Sequence, residues 1–342
     1  MATLREVAQR AGVSVPVVSA YLRGSKSVRM SVDTRRRVAE AIEELGYSPN
    51  PTSRSTRAQR TNVMAVVVPE LGDPVLADVL RGIYDSAEQR GIAIVLGDAG
   101  QRASGGVMLE RLLAHNSMDG VIARRGSALE PAVLSDVAGR RIPVVFLDPE
   151  APGDLHWLAV DDADGVQAAT AHLIGLGHEQ IDFLGGQDVR PDPSGGRRRY
   201  QGYVAALQSH GLAPRPPVLC EHAAEHGYEA FSTMVAPRVV QRRRDAPTAL
   251  VVDDGTTAIG VLAAARDAGI VVPRDVSVIG YHETVATAMV RPRLTVVRMP
   301  MYELGSRAVT MLDAIVDGEF VPSGVVEGPA PRVIAGETTA AP

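Results

Sequence analysis

Cysteine occurs once in the 342 residues, at Cys220, so no intrachain disulfide can form and a reducing compartment is expected. Lysine is as scarce. Of 35 basic residues only Lys26 is a lysine, and the others are arginines, whose planar fork suits bidentate contacts to phosphate or carboxylate. Genomic composition stays open as one account of that bias. No apolar run approaches the roughly 20 residues needed to cross a bilayer, and residues 1–10 lack the apolar core of a signal peptide. A cytoplasmic location is therefore expected. Neither a G-x-G-x-x-G nor a Walker pattern is present to cradle phosphate, although Gly185-Gly186 follows an apolar run. What is left is an ordinary apolar content of 45% in a chain long enough for more than one core.

Charge is unevenly spread over that length. Residues 1–60 carry 11 basic and 5 acidic side chains, net +6, while the other residues carry 24 and 35, net −11. The overall net charge of −5 conceals a cationic head on an acidic body. Composition bias does not explain that segregation. Arginines that displace condensed counterions point to a polyanion, duplex DNA first.

The head reads as three short helices. Thr3-Leu4-Arg5-Glu6 fits a capping box, Leu4, Val7, Ala8 and Ala11 share one face, and Gly12 ends the first helix. Ser14 is placed to cap a second helix over residues 15–22, where Pro16 in the first turn loses no hydrogen bond. Val18 and Leu22 point inward from it. A third helix spans residues 31–45, with Val38, Ile42 and Leu45 inward and Gly46 as its stop. On pattern alone this is either a helix-turn-helix, whose second helix offers its N-terminal side chains to base edges, or a plain three-helix bundle.

Particular residues decide between the two. Thr3-Leu4-Arg5-Glu6-Val7-Ala8, Ala11-Gly12-Val13-Ser14-Val15, Val18-Ser19 and the stretch from Ala41 through Gly46-Tyr47-Ser48-Pro49-Asn50-Pro51 closely resemble the head piece of the lac repressor family of bacterial transcription regulators. Arg54-Ser55 and Arg60-Thr61-Asn62 continue the likeness into that family's hinge and linker. The resemblance implies a double-stranded DNA contact surface made of Thr3, Ser14, Val15, Pro16, Ser19, Ala20, Tyr21, Arg23, Tyr47, Asn50, Arg54 and Thr56. Departures also show. Val15, Pro16, Val17 and Ala20 stand where the family commonly has a polar pair and a later Arg. Apolar groups can touch a thymine methyl but make none of the bidentate base contacts worth about 1–3 kcal/mol each. Base reading then rests on Arg23, on Tyr21 or on DNA shape. An apparent two-residue insertion lies near Arg29-Met30, and Thr56 occupies the hinge position where the family wedges a Leu into the minor groove.

From Val63 onward apolar strands at 63–68, 92–96, 144–147, 181–184, 250–252 and 276–279 alternate with helical stretches at 76–90, 165–176, 199–210 and 257–268. Such interleaving implies doubly wound parallel sheets, and about 280 residues exceed one comfortable core, so two lobes are expected. Ligands of such sheets sit beyond the strand C-termini, which gathers residues 69–73, Asp148, Asp161-Asp162, Asp253-Asp254 and Tyr281-His282-Glu283 around one crevice.

This portion resembles the periplasmic-binding-protein-like sensor that the same family carries. Matching pieces include Asp73-Pro74, Asp119-Gly120-Val121-Ile122, Ile142-Pro143-Val144-Val145, Arg199 with Gly202-Tyr203, and Val276-Ser277-Val278-Ile279-Gly280-Tyr281. In relatives two lobes close on a small effector, often a sugar, and closure alters DNA affinity. Carried over by position, the effector-binding candidates are Asp73, Val75, Asp148, Arg199, Asp253, His282 and Met299, with Arg199 supplying a donor fork. His282 replaces a usual Asp, and Val75-Leu76 replace a usual aromatic pair. A histidine able to carry charge near pH 6.5 leaves an anionic effector open beside a sugar.

Other chemistry is set aside. His222-Ala223-Ala224-Glu225-His226 matches H-x-x-E-H, yet Gly227 follows at once and no third ligand is evident. Asp161-Asp162-Ala163-Asp164-Gly165 lacks calcium-loop spacing, and Arg242-Arg243-Arg244 reads as a solvated turn. No catalytic set, metal or cofactor is expected. The domains expected are a helix-turn-helix at residues 1–48, a hinge at 49–62 and a two-lobed effector-binding and dimerisation domain at 63–342. The function expected is an effector-controlled, sequence-specific repressor acting as a homodimer on near-palindromic operators. A soluble small-molecule binder with a degenerate head is the open alternative. The tail after Gly318 shows no apolar heptads for a tetramerising coil. At fixed salt, Thr56→Leu is expected to tighten binding to the protein's own DNA site, measured by titration; unchanged or weaker affinity counts against the hinge alignment.

Overall fold

Small apolar side chains let the N-terminal helices approach closely. Helices α1 (Leu4–Ala11), α2 (Val15–Leu22) and α3 (Val32–Glu44) bury Val7, Ala8, Ala11, Val18, Val38 and Ala41 in one cluster, with Leu4, Ile42 and Leu45 packed at its edge. The computed structural model describes residues 4–22, 30–45, 60–98, 117–124, 142–149, 151, 155–186 and 195–342. Two units result, Met1–Thr61 and Asn62–Pro342. In the first, Gly12 takes φ +64° and the Val13 amide donates to the Ala8 carbonyl at 3.0 Å, which closes α1 and turns the chain. The Ser14 carbonyl then accepts from the amides of Val17 at 3.0 Å and Val18 at 3.3 Å. Ser31 caps α3, its hydroxyl accepting from the Thr34 amide at 3.1 Å. The side chain of Leu22 lies outside the described residues.

The second unit is built from two sheets. Strands β1 (Val63–Val68), β2 (Ala93–Asp98), β3 (Gly120–Arg124), β4 (Val144–Leu147), β5 (His156–Ala159) and β10 (Gly324–Val325) pair in the order β10-β5-β4-β3-β1-β2. Every pairing in that first lobe is parallel. The second lobe orders β6 (Ile181–Leu184), β7 (Ala249–Val252), β8 (Ser277–Tyr281), β9 (Thr295–Arg298) and β11 (Arg332–Ile334) as β11-β9-β8-β7-β6, with only β11 antiparallel. Burial on both faces explains why β4 and β7 are continuous apolar runs rather than alternating ones.

Both lobes draw on distant parts of the chain. It crosses from β5 into helix α5 (Asp162–Gly175), from β9 into the long helix α11 (Met301–Val316), and from β10 into β11. The tail, which carries no heptad pattern, thus adds one strand to each sheet. Helix α5 starts three residues before the apolar periodicity does, because the Asp161 side chain accepts from the Asp164 amide at 3.0 Å and caps it.

Helix α6 (Gly195–Ser209) packs along α5, and Gly202 sets their separation. A Cβ there would lie 2.1 Å from the Ala163 carbonyl oxygen. Gly202→Ala is therefore expected to force the helices apart, costing about 1–3 kcal/mol as overpacking. Urea unfolding checks it; a variant as stable as the parent would mean the helices separate without strain.

Candidate functional site

Arg199 sits on the inner face of α6 with its guanidinium almost fully withdrawn from water. Its Nε donates to Asp162 Oδ1 at 3.1 Å, one Nη to the Asp253 carbonyl at 2.8 Å, and the other Nη to His282 Nε2 at 3.2 Å. The Tyr281 ring lies under the cation, 4.5 Å from centroid to Cζ, and its hydroxyl donates to the same Asp162 Oδ1 at 3.0 Å. Four chain segments thus meet at one cation: the crossover after β5, helix α6, and the ends of β7 and β8.

Electrostatics follow from that packing. Burial would raise the Asp162 carboxyl, but Arg199 and Arg198 outweigh it and hold it below the usual carboxylate range. Burial likewise works against the Arg199 cation, and Asp162 overcomes it and raises its pKa. His282 goes the other way: burial, and then the Arg199 charge, push it well below its ordinary value. Arginine is only a donor, so the neutral imidazole accepts at Nε2 and carries its proton on Nδ1. Burial, and then the neighbouring guanidinium, thus disfavour the charged His282 on which the expectation of an anionic effector rests. His282 itself adopts φ +68°, an uncommon backbone state for a residue with a Cβ.

Asp253 is fully buried at the end of β7. Its Oδ2 accepts from the Gly186 amide at 2.8 Å and pairs with His222 Nε2 at 3.2 Å. Gly185 makes room for it with φ +136°, since a Cβ there would fall 1.9 Å from Asp253 Oδ1. Burial lowers the His222 pKa, but the Asp253 charge outweighs it and raises the value. Among the described residues, Asp253 Oδ1 and His282 Nδ1 have no hydrogen-bond partner.

The first lobe faces this centre with its own paired charges. Asp73 accepts from Arg124 at the end of β3, at 2.6 Å, and from the Val75 amide at 2.9 Å. Asp148, just beyond β4, lies 3.7 Å from the nearest Nη of Arg198, which also donates to Asp162 Oδ2 at 3.2 Å. A groove of about 640 Å³ flanks the centre where the lobes meet, lined among others by Pro74, Asp78, Glu283, Thr284, Met299 and Tyr302.

Of the effector-binding candidates, Asp73, Asp148, Arg199, Asp253 and His282 are thus brought to this centre or its facing wall. Val75 is drawn into the core at the start of helix α4 (Leu76–Gln89), because an aliphatic side chain there packs inward. Met299 is also core, its sulfur so close over Gly165 that a Cβ would meet it at 2.6 Å, although it edges the groove. Composition and position do not nominate Asp162, Tyr281, Arg124, Arg198 or His222 as ligand contacts. The crevice rule places Asp162 and Tyr281 nearby, Arg198 stands beside Arg199 in a triplet, and His222 is masked by its resemblance to a zinc pattern. Its partner is Asp253, whereas His226 pairs with Glu221 at 3.7 Å.

In the head, Ser14 and Pro16 are exposed at the start of α2, and Val15 and Tyr21 are half-buried against the three-helix core. Ala20 is 1% exposed, so it cannot lie on a base edge; its face of α2 turns inward. Thr3, Arg23, Tyr47, Asn50, Arg54 and Thr56, and the side chain of Ser19, lie outside the described residues.

The His282 shift has a testable sign. A histidine whose folded pKa is depressed is protonated first in the unfolded chain, so stability falls as pH drops through its ordinary value of 6.5. His222, whose pKa is raised, gains stability over the same range and offsets part of the loss. The urea midpoint is expected to fall between about pH 7.5 and 5.5, and His282→Asn to flatten that fall, since ordinary histidines titrate there. A steeper fall in the variant would put the acid-sensitive group elsewhere.

Comparison with known proteins places both units. Residues 3–50 match the family described as bacterial regulatory proteins, lacI family, and residues 170–339 a periplasmic binding protein-like domain. Catabolite control protein A of Priestia megaterium is 31% identical over 328 residues, 96% of each chain. A crystal structure of the lac repressor dimer bound to operator and the anti-inducer ONPF superposes with a TM-score of 0.80 at 25% identity, covering 99% of each chain. The complex of the transcriptional regulator CelR with cellobiose superposes with a TM-score of 0.67 at 26% identity, covering 99% of this chain and 100% of that one. With a helix-turn-helix head and a bilobed parallel-sheet body matched end to end, the chain belongs to the lacI family of bacterial transcription regulators.

Proposed function

We propose that this regulator is a cytoplasmic homodimeric repressor that binds a near-palindromic operator, and that a small hydroxyl-bearing metabolite held between the two lobes of the second unit sets its DNA affinity. The observation that carries the reading is one chain holding both parts: a cationic helix-turn-helix whose second helix starts with exposed Ser14 and Pro16, and a bilobed unit centred on buried Arg199. The relative bound to operator is a dimer, and two-fold proteins match two-fold sites. Exposed apolar side chains on the second unit support a partner surface, with Tyr84 at 55%, Val285 at 69% and Met289 at 72% exposure. No helix among the described residues is long and apolar enough to cross a membrane.

Sugar-like chemistry is favoured over an anion. Arg124, Arg198, Arg199 and His222 each face a carboxylate, respectively Asp73, Asp148, Asp162 and Asp253, so the site offers balanced donors and acceptors rather than surplus positive charge. Hydroxyls exchange with both kinds of group, and cellobiose is what the CelR relative holds. The centre is read as a binding site and not a catalytic one: its histidines are engaged by Asp253 and Arg199, and its carboxylates serve as their counter-charges. A degenerate head is disfavoured because the family match spans residues 3–50.

Selection from a random duplex pool with the full-length protein, repeated with cellobiose and monosaccharides, tests the whole reading. A recurring two-fold sequence is expected, with affinity for it at least about 10³ above random DNA and falling by orders of magnitude between about 50 and 200 mM salt. Enrichment of no sequence at low salt, with or without sugars, overturns it.

A further inference from the structure

One contact joins the two lobes across the cleft. Arg198 belongs to the second lobe, on α6, while Asp148 follows β4 in the first. The two approach to 3.7 Å, and the same guanidinium nitrogen lies 3.2 Å from Asp162 Oδ2. The two contacts differ in kind. The Asp162 contact is a hydrogen bond on the side of the lobe that carries α6, whereas the Asp148 contact is a Coulombic one beyond hydrogen-bond range. Side-chain exposures of 24% for Arg198 and 13% for Asp148 leave the pair shielded but within reach of water.

The surrounding packing makes one contact fixed and the other free to part. Helix α6 is held on α5 by the close approach of Gly202 to the Ala163 carbonyl, so Arg198 and Asp162 move together. Asp148 is carried by the other sheet. Separation of the lobes therefore stretches Arg198 to Asp148 and leaves Arg198 to Asp162 in place.

We propose that Arg198 is an interlobe latch, which closes the cleft by holding Asp148 and yields that carboxylate to a hydroxyl-bearing ligand. Its regulatory consequence rests on the cleft being the effector site, but its geometry does not. The carboxylate that joins the lobes is one a ligand in the cleft would contend for, so Arg198 competes with the ligand and its loss loosens closure.

The test measures closure directly. Spin labels are placed in full-length protein by Glu88→Cys on α4 and Gln208→Cys on α6, both exposed and in opposite lobes, and Cys220 is buried. Labelled chains are diluted with unlabelled ones, and distances are read by double electron–electron resonance. Arg198→Gln and Asp148→Asn are each expected to move the mean distance outward by more than about 2 Å, the scale of domain rearrangements on binding. Acting through one contact, the double variant moves it no further than the larger single change. Arg198→Lys keeps the charge and retains most of the closed population. Unmoved distances in both single variants, or shifts that add, overturn the latch; Asp148→Asn is isosteric and guards against misfolding as the cause. If the variants shift while cellobiose and monosaccharides never move the parent distance, the latch stands and the sugar-effector reading falls.

Discussion

The second unit depends on keeping one guanidinium charged out of water. Burying a cation costs several kcal/mol even after relaxation, and the cost is met only by a close counter-charge with its remaining hydrogen bonds filled. Asp162 is that counter-charge. It occupies the first turn of α5, where the helix dipole favours a carboxylate, and it is reached from one side by Arg199 and from the other by the Tyr281 hydroxyl. The requirement propagates outward. Gly202 brings α6 close enough for the arginine to reach, and burial together with that guanidinium disfavours the charged form of His282.

Among the described residues, the charges gathered around this cation are matched locally. Asp73, Asp148, Arg199 and Asp253, the charged positions nominated from sequence, are each engaged by another group of the same chain. On the proposed reading, a ligand binds there by exchange with these pairs. The order of exchange follows burial and distance. Asp253 is fully buried and Asp162 nearly so, and each is held by at least two partners at hydrogen-bond range. Asp148 meets Arg198 at 3.7 Å, the longest of the four pairings.

Sequence periodicity reveals β1, β2, β4, β6, β7 and β8, and misses the short buried β3 and β9 together with β5, β10 and β11. The runs at 63–68, 144–147 and 181–184 coincide with β1, β4 and β6, whose residues are nearly all buried. β5 contains His156 and Trp157 at half-burial, and the two-residue β10 and three-residue β11 are too short to carry a period, so none of the three stands out. Site residues divide in a similar way. Arg199 is recognisable by its place before Gly202-Tyr203, and the crevice rule gathers the right strand ends. Which side chains pair across those ends depends on tertiary placement: His222 precedes its helix by two residues and finds Asp253 from a segment some thirty residues away in sequence. The same dependence turns Val75, Met299 and Ala20 from candidate contacts into core.

The head poses the sharper energetic question. With Ala20 buried, the start of α2 leaves Ser14 and Pro16 exposed and Val15 half-buried, a hydroxyl and two apolar surfaces for the proposed groove contact. A specificity of about 10³ over random DNA corresponds to roughly 4 kcal/mol, and each bidentate base pairing supplies about 1–3 kcal/mol. None of those three residues can make such a pairing. Phosphate contacts by a cationic head would supply affinity, yet that term is blind to sequence. Discrimination must then come from residues beyond the start of α2, Tyr21 and Arg23 first, or from the cost of deforming particular base steps. Two-fold assembly changes the arithmetic, since a modest discrimination per half-site counts twice when both heads engage one operator. On the proposed two-fold operator, a head with weak base contacts would lean more heavily on whatever fixes the spacing of two heads.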